Sequence, residues 1–369
     1  MRPLCVLFFV VLVSPSPSPS IILPFEQKGL PDLRKTVDVA ELLEMMMNDE
    51  EGSGFQEIIK LDQPTCPFEC ECSLKVVQCS DRGLYYVPHE LPPDTRLLDL
   101  QGNHIAEIRE NDFKGLNNLY ALVLVNNQIS RIHPRAFLPL KRMQKLYLSH
   151  NLLTAVPKNL PSTLVELRIH DNRIKKIASG TFSGLYGMNV IELGRNPIKN
   201  SGLEAGAFNG LRLKFLRISE AKLTNIPKGL PFNLRELHLD QNQITTINVD
   251  DLVEYGELYR LGLAHNRIRT IEHGSLYYVE KLRELHLNDN LLSRVPDGLS
   301  GLKHLQVVYL HSNNISSVDV NDFCPKSSAV KKTLYNGISL FNNPLSYWEI
   351  QPATFHCVSS SRAIHYGNM

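Results

Sequence analysis

One serine lies in a setting suited to covalent attachment of sugar. Residues 49–54 read Asp-Glu-Glu-Gly-Ser-Gly, so Ser53 follows an acidic run and precedes a glycine in a segment with little packing pattern. In an exported protein, an exposed acidic Ser-Gly is the kind of site at which xylose is added to start a glycosaminoglycan. We therefore predict attachment at Ser53, with a plain flexible tail as the alternative. Ser-Gly by itself is a weak signal, and it also occurs at Ser179, Ser183, Ser201 and Ser300.

The start of the chain predicts export. Residues 1–3, Met-Arg-Pro, precede an apolar run over 4–13 and a series of Ser-Pro pairs, which together describe a secretory signal over residues 1–20. A membrane anchor is the alternative, but it would need about 20 apolar residues. No later segment of the sequence is that long. We therefore expect a soluble, exported protein in an oxidising compartment.

The cysteines beyond the signal form two groups, one near each end of the remaining chain. They are Cys66, Cys70, Cys72 and Cys79 in the first group, and Cys324 and Cys357 in the second. An even number of cysteines in an exported chain predicts disulfide bonds. A zinc site is the alternative for the first group, but an oxidising compartment favours disulfides.

Other motifs limit the chemistry further. Residues 314–316, Asn-Ile-Ser, form the one N-glycosylation sequon, and its position at a turn predicts a glycan on Asn314. The chain contains no G-x-S-x-G, P-loop or zincin motif, including H-E-x-x-H, so we expect no enzyme activity, no metal site and no cofactor. A formal net charge of +1 without a basic run gives no support for nucleic-acid binding.

A repeated phrase, L-x-x-L-x-L-x-x-N-x-I, organises most of the chain. Its clearest copy is residues 119–129, and successive copies from Arg82 onward are 21 to 25 residues apart, except for a last step of 30. A period of about 20–29 residues with this phrase identifies leucine-rich repeats. Alanine replaces the asparagine once, at Ala221. The asparagines are Asn103, Asn127, Asn151, Asn172, Asn196, Asn242, Asn266, Asn290, Asn313 and Asn343.

The phrase predicts an α/β solenoid, an arc of about 12 coils with a concave parallel β-sheet. In each L-x-L core, alternate residues such as Leu122 and Leu124 should point inward. The asparagines should stack into a buried ladder that satisfies backbone groups of their own and a neighbouring coil. Units of 24 residues have room for a helical turn on the outer side. Units of 21 residues contain proline, as at 156–161, and should run extended.

A stack of repeats exposes apolar surface at both ends and therefore needs caps. We predict a cysteine-rich amino-terminal cap over residues 66–84, leucine-rich repeats over 85–320, and a carboxyl-terminal ear repeat and cap over 321–369. Because the last unit is stretched to 30 residues, it should protrude from the stack.

The outward strand positions carry mixed charge, which suits a polar protein ligand or a second copy of the same face. They include Lys145, Tyr147, Glu166, Arg168, Asp171, Glu192, Arg195, Arg217, Glu220, Glu236, Asp240, Arg260, Glu284, Asp289 and Tyr309. Six histidines also fall there: His150, His170, His238, His265, His286 and His311. One hypothesis is that their protonation weakens contacts of this face below about pH 6.5. The alternative is that they are ordinary polar surface residues.

The cysteine spacing, the alternation of short and long repeats and the stretched unit with its late cysteine pair together resemble the class I small leucine-rich proteoglycans. Four stretches add to the resemblance, which covers almost the whole chain and is weakest at 21–44 and 55–65. These stretches are Pro-Phe-Glu-Gln at 24–27, Met-Met-Asn-Asp-Glu-Glu at 46–51, Leu-Val-Leu-Val-Asn-Asn at 122–127 and Gly-Ile-Ser-Leu-Phe-Asn-Asn-Pro at 337–344.

This resemblance implies several covalent features. A propeptide over 21–48 would be removed after Asn48, so that the mature protein begins at Asp49. The sugar at Ser53, within the attachment segment 49–65, would be a single chondroitin or dermatan sulfate chain. The implied disulfide bonds are Cys66–Cys72, Cys70–Cys79 and Cys324–Cys357.

The resemblance also implies partners. It is to secreted extracellular-matrix proteins that bind fibrillar collagen, influence fibril assembly and bind growth factors such as transforming growth factor β. The mixed charge of the concave face adds a homodimer through the concave faces to the expected partners. Related proteins contact collagen through an arginine and an acid on one central strand. The matching strand here is 216–220, which assigns collagen binding to Arg217 and Glu220, with glutamate in place of aspartate. A soluble signalling ligand of innate immune cell-surface receptors is the alternative function.

Overall fold

The computed structural model describes residues 66–325 and 335–366. The predicted signal peptide, propeptide and attachment segment, with Asn48, Asp49 and Ser53, lie outside these residues. Within the described ranges, no helix is long and apolar enough to cross a lipid bilayer.

Short strands alternate with turns and 3-10 helices along the described chain. In chain order the strands are β1 (Glu71–Ser73), β2 (Val76–Gln78), β3 (Leu97–Asp99), β4 (Glu107–Ile108), β5 (Ala121–Val123), β6 (Arg131–Ile132), β7 (Lys145–Tyr147), β8 (Glu166–Arg168), β9 (Val190–Glu192), β10 (Phe215–Arg217), β11 (Glu236–His238), β12 (Thr246–Ile247), β13 (Arg260–Gly262), β14 (Thr270–Ile271), β15 (Glu284–His286), β16 (Val307–Tyr309), β17 (Gly337–Ser339) and β18 (Ile364–His365). The 3-10 helices are Asn200–Gly202, Val249–Asp251, Ser275–Tyr278, Leu299–Gly301, Tyr347–Glu349, Pro352–Phe355 and Ser361–Ala363.

Fourteen of the strands form one sheet, which follows the order of the coils. The strand order is β1-β2-β3-β5-β7-β8-β9-β10-β11-β13-β15-β16-β17-β18, and two small outer sheets pair β4 with β6 and β12 with β14. The β1–β2 pair is antiparallel, and the pairs from β2–β3 to β17–β18 are parallel. Equivalent residues of successive coils pair in register, as Leu98, Leu122 and Leu146 do. The solenoid with a parallel sheet is the predicted fold.

The core lies on one side of this sheet, as the alternation of the L-x-L phrase predicts. Leu122, Leu124, Leu146 and Leu148 are fully buried, and they belong to an apolar cluster that extends along the whole stack. Because each coil leaves one face of its strand apolar, burial against the neighbouring coils supplies the main stabilising free energy.

The ladder asparagines bond to backbone groups of two coils. The Asn127 side-chain nitrogen donates to the carbonyl oxygens of Leu100 (2.9 Å), Leu124 (3.3 Å) and Val125 (3.3 Å), and its side-chain oxygen accepts from the Ile105 amide (3.0 Å). The same geometry recurs at the other asparagines of the phrase. Each asparagine thus joins its coil to the preceding one.

The interruption at Ala221 is compensated locally. In the preceding coil the Ile174 amide donates to the Asn196 side chain at 3.0 Å. The equivalent amide opposite Ala221 belongs to Ile198, and it donates instead to the backbone carbonyl of Asn196 at 2.7 Å. This tight turn therefore gives the Ile198 amide a hydrogen-bond acceptor in place of the missing asparagine side chain.

Helical turns on the outer side of the array occur in four of the long units and in neither of two short units. Four 3-10 helices lie in the long units, at Asn200–Gly202, Val249–Asp251, Ser275–Tyr278 and Leu299–Gly301. The described part of the chain has no helix in the short units over 151–172 and 221–242. The helical turns that the long units can accommodate are therefore of the 3-10 type.

Disulfide bonds lie at both ends of the stack. The amino-terminal cap contains Cys66–Cys72 and Cys70–Cys79, beside the β1–β2 hairpin. At the other end Cys324 bonds to Cys357 across 33 residues. These are the pairs that the family resemblance implies.

Candidate functional site

The face of the fourteen-stranded sheet that points away from the main core is the concave face of the prediction. Side chains alternate along a strand. Each coil therefore contributes three residues to this concave face: the first and third residues of its strand, and the second residue after the strand. The next residue has a positive φ in every coil from 81 to 342, and these residues form what we call the rim. The rim residues are Asp81, Gly102, Asn126, His150, Asp171, Arg195, Glu220, Gln241, His265, Asp289, Ser312 and Asn342.

The amino-terminal quarter of the concave face carries an apolar cluster beside the buried polar residues Asp99 and Gln101, and the sequence analysis missed this cluster. A second apolar cluster, separate from the main core, lies on strands β2, β3, β5 and β7. Its members are Val76, Leu97, Tyr120, Ala121, Val123, Val125 and Tyr147, all buried. The signal was present in the sequence, because the positions between the core leucines of these units are themselves apolar.

From β7 onward, charged side chains are joined across the strands. The Arg168 Nε donates to Oε1 of Glu166 at 2.6 Å, the Tyr147 hydroxyl donates to the same oxygen at 3.0 Å, and the Lys145 ammonium lies 3.4 Å from Oε2. Burial opposes the charge of Glu166, but Arg168 and Lys145 outweigh it and hold its pKa below the ordinary value. The buried charged side chains of this cluster are therefore held in place by their bonds to Glu166.

A second charged cluster lies toward the carboxyl-terminal half. The Arg260 Nη2 lies 2.6 Å from Oε2 of Glu284, and its Nη1 lies 3.7 Å from Oε2 of Glu236. Burial opposes the charge of Glu284, but the hydrogen bonds from His286 and Arg260 lower its pKa to about 2. Glu284 therefore stays ionised at every physiological pH.

Between these clusters lie the two residues to which the resemblance assigns collagen binding. Arg217 ends strand β10, and Glu220 is the rim residue of the same coil. The Glu220 Oε2 accepts from Nε of Arg195 in the preceding coil at 2.7 Å, and Arg195 also lies 3.5 Å from Asp171. Glu220 is thus held by the rim, and Arg195 is a further candidate for ligand contact.

Several buried polar atoms around Arg217 have no hydrogen-bond partner among the described residues. They are Nε and Nη1 of Arg217, Oε2 of Glu192 and Oγ of Ser219. Arg217 and Glu192 are paired in register on neighbouring strands, and Ser219 follows Arg217 on the same face. Two donors, an acceptor and a hydroxyl of this face are therefore buried with their hydrogen-bonding capacity unused.

The rim also brings together three groups that could hold a metal. His150, His170 and Asp171 place one nitrogen or oxygen atom each within 4.8 Å of one another. A search for motifs within one segment could not find them, because His150 belongs to the coil before the other two. They meet through the stacking of coils.

The histidines of the concave face do not share one environment. Burial lowers the pKa of His311 to about 4. Burial also opposes the charge of His238, but hydrogen bonds to Asp240 and Glu236 outweigh it and raise its pKa. Near pH 6, therefore, His311 is neutral while His238 tends to be charged, so a single protonation step near pH 6.5 does not describe this face.

The predicted glycan acceptor lies outside the concave face. Asn314 is exposed, and its backbone amide donates to the Leu292 carbonyl at 2.9 Å. Exposure leaves the side-chain amide accessible, so glycosylation at Asn314 stays a prediction with a suitable setting.

Two family models match the chain. The family described as Leucine rich repeat matches residues 93–153, 162–223 and 256–315. The family described as Leucine rich repeat N-terminal domain matches residues 65–92. The matches cover the array and its amino-terminal cap.

The chain is similar to biglycans along nearly its whole length. It is 60% identical to biglycan of Rattus norvegicus, with 100% of this chain and 99% of the relative covered. It is 62% identical to biglycan of Homo sapiens, with 94% and 95% covered. Biglycan of Xenopus laevis is 59% identical, also with 94% and 95% covered.

A solved structure shares the architecture. It is a chain in the octameric complex of latrophilin 3, Unc5D and FLRT2, in which FLRT2 is the leucine-rich repeat component. The TM-score is 0.62 at 27% sequence identity, with 80% of this chain and 81% of that chain covered.

The biglycans match from end to end, so the similarity includes the caps and the stretched last unit as well as the repeats. The disulfide-capped solenoid with its parallel sheet is the structure that the repeat phrase and the family models describe. The chain therefore belongs to the biglycan family of small leucine-rich proteoglycans.

Proposed function

We propose that this protein is the core of a secreted matrix proteoglycan and binds fibrillar collagen through its concave face. The name biglycan, carried by its relatives, supports a proteoglycan of the extracellular matrix. The predicted export signal and the acidic Ser-Gly at Ser53 support the same location and the covalent sugar chain.

The observation that carries the collagen proposal is that Nε and Nη1 of Arg217 are buried without a hydrogen-bond partner among the described residues. Two buried donors without partners cost about 1–3 kcal/mol each. An extended ligand such as collagen presents backbone carbonyl groups, which can accept from both nitrogens. Glu192 and Ser219 would contact polar hydrogens of the same ligand segment, so the ligand is recognised by polar groups that the protein leaves unsatisfied.

Glu220 has a different part in this proposal. Its bond to Arg195 fixes the position of both side chains beside Arg217. We propose that the pair Arg195–Glu220 meets charged side chains of collagen while Arg217 binds its backbone. Charge complementarity of this kind sets register and specificity more than affinity.

The remaining partners follow from the same surface and from the sugar chain. A protein seated on a collagen fibril with a polyanionic chain at Ser53 would limit lateral growth of the fibril, which is how we propose that it influences fibril assembly. Growth factors such as transforming growth factor β and a second copy of the chain are further proposed partners. A homodimer through the concave face would compete with collagen for Arg217.

Substitution of Arg217 tests the proposal. We expect Arg217→Ala to weaken binding to reconstituted collagen fibrils by about 10- to 100-fold, because charged hydrogen bonds contribute about 1.5–3 kcal/mol each. Binding is measured by fibril co-sedimentation of protein treated with chondroitinase, so that the sugar does not contribute. Analytical ultracentrifugation of the same samples gives the monomer–dimer distribution.

Arg131→Ala is the matched control. Arg131 lies on the outer strand β6, is 75% exposed and pairs with Glu107, so its loss should leave collagen binding unchanged. If Arg217→Ala binds fibrils as the unsubstituted protein does, Arg217 has no role in collagen recognition.

A further inference from the structure

We propose that His150, His170 and Asp171 form a zinc site on the rim of the concave face. Zinc is bound in proteins by histidine nitrogens and carboxylate oxygens, commonly with three protein ligands and one open position. Two imidazoles make the group unsuitable for Ca²⁺ or Mg²⁺, which take oxygen ligands. The three side chains supply two nitrogens and one oxygen around a common centre.

The two donor–donor distances that involve Asp171 are close to those of a tetrahedral zinc site. Asp171 Oδ2 lies 3.5 Å from Nε2 of His150 and 3.3 Å from Nδ1 of His170. For zinc bonds of about 2.0–2.1 Å, neighbouring ligands of a tetrahedron are about 3.3 Å apart. The two imidazole rings meet edge to face, with centroids 5.3 Å apart, and their donor nitrogens lie within 4.8 Å of each other.

The backbone holds the ligands in place before any ion binds. His150 and Asp171 are rim residues with φ of 55° and 53°. The His150 amide donates to the His170 carbonyl at 3.0 Å, and the Asp171 amide donates to the Gly194 carbonyl at 3.0 Å. Binding therefore requires little ordering of the chain, which favours affinity.

The surroundings leave one coordination position open. The side chains of His150 and Asp171 are 34% and 23% exposed, whereas that of His170 is 7% exposed. Arg195 lies 3.5 Å from the Asp171 carboxylate and is itself bonded to Glu220. Arg195 would orient the carboxylate from the outer side, as partners of metal ligands do. Water or a carboxylate of a bound partner would complete the site.

The molecule contains its own comparison five coils further along. The rim pair His265–Asp289 has the same separation, 3.5 Å between Nε2 and Oδ2. The position equivalent to His170 is Asn288 there, and its amide nitrogen donates to Asp289 Oδ2 at 2.8 Å. Asparagine therefore fits the fold at this position but offers no imidazole. Within residues 66–325 and 335–366, no other three His, Cys, Asp or Glu donors lie so close together.

The test measures zinc binding to the full-length secreted protein after removal of metals by chelation. Zinc chloride is titrated in competition with a chromophoric chelator, and the number of bound ions and their affinity are compared among variants. His170→Asn, which copies the arrangement at Asn288, and His150→Ala should each lose one zinc equivalent or weaken its binding at least about tenfold. Excess calcium chloride should not displace the ion.

His265→Ala is the control and should bind zinc as the unsubstituted protein does. Thermal unfolding in chelator should give the same midpoint for all variants, and zinc should raise the midpoint only where His150 and His170 are both present. If His170→Asn and His150→Ala keep the stoichiometry and affinity of the unsubstituted protein, the group is a hydrogen-bonded cluster and the proposal is wrong.

Discussion

At the scale of single residues, each ladder asparagine makes several hydrogen bonds that an apolar side chain of similar size could not make. Asn242 donates to the carbonyl oxygens of Ile218, Leu239 and Asp240, and it accepts from the Leu223 amide at 3.1 Å. Asparagine suits this position because its short side chain carries both a donor NH2 group and an acceptor oxygen. The fold tolerates alanine at position 221 because the Ile198 amide donates instead to a carbonyl of its own coil.

We predict that Asn242→Ala lowers the free energy of unfolding by about 2–4 kcal/mol, because the buried Leu223 amide and the Ile218 carbonyl lose their partner and two further carbonyls lose one of their donors. Urea unfolding followed by circular dichroism measures the change. Asn117→Ala, at an exposed position outside the ladder, should shift the free energy by less than about 0.5 kcal/mol. Equal effects of the two substitutions would contradict a stabilising ladder.

His311 shows how burial changes the pKa of a histidine side chain. Its ring stacks on Phe341 with centroids 4.3 Å apart, and its Nδ1 lies 2.7 Å from the Ser339 hydroxyl oxygen. Its pKa is lowered to about 4, first by burial and then by the neighbouring His265 and His286, against the attraction of Asp289. The unfolded chain, with an ordinary pKa near 6.5, takes up the proton first.

The stabilising effect of neutral His311 is therefore fully present above about pH 6.5 and is lost as pH falls toward 4. The free energy of unfolding should fall between pH 7 and pH 4.5 in the unsubstituted protein. We predict that this fall is smaller by about 2 kcal/mol in His311→Gln. Denaturant unfolding at both pH values measures it. His273→Gln, at an exposed position, should keep the unsubstituted profile, and an unchanged profile for His311→Gln would refute the assignment.

At the scale of elements, the ends of the stack depend on covalent closure. The carboxyl-terminal strands β17 and β18 continue the sheet, and Phe323 and Phe355 pack beside the Cys324–Cys357 bond with ring centroids 5.4 Å apart. The end coil has a neighbour on one side only, so its apolar face is buried less well than that of a central coil. The disulfide offsets this by restricting the unfolded segment.

We predict that the double variant Cys324→Ser, Cys357→Ser unfolds with a free energy about 3–4 kcal/mol lower, as chain entropy gives for a loop of this length. Because contacts in a solenoid are with neighbouring coils, the loss should appear as early unfolding of the carboxyl-terminal coils. Hydrogen exchange resolved by mass spectrometry measures which coils open. Uniform opening along the whole stack would contradict this localisation.

At the scale of the whole molecule, recognition and covalent modification are separated. The described solenoid presents its charged clusters and the Arg217 group on one face, whereas the predicted sugar chain belongs to a segment before the amino-terminal cap. The proposed attachment site and the proposed collagen contacts therefore lie in different parts of the sequence.

We predict that Ser53→Ala abolishes the chondroitinase-sensitive smear of the secreted protein on a gel and leaves one sharp band. The reason is that Ser53 is the one Ser-Gly preceded by an acidic run. Ser183→Ala, in a Ser-Gly within the repeats, should keep the smear. Persistence of the smear in Ser53→Ala would place the sugar elsewhere.

The fold and part of the site could be predicted from sequence because their causes are local. The period of the phrase and the alternation of Leu122 and Leu124 lie within one coil, so they determine the solenoid, its buried face and the asparagine ladder. The same pattern identifies Arg217 as an outward residue. The apolar quarter around Leu97 and Val123 was equally readable, since its members are the unspecified positions of the phrase.

Only the tertiary structure decided which outward residues meet, because neighbours across the sheet belong to different coils. Glu220 bonds to Arg195, 25 residues earlier, and leaves Arg217 unpartnered among the described residues. His150 reaches Asp171 because stacking places consecutive rim positions side by side. The sequence by itself therefore determined the coil and the direction of each side chain. Register between coils, which depends on packing of the whole stack, determined the charged clusters, the unsatisfied donors of Arg217 and the proposed zinc site.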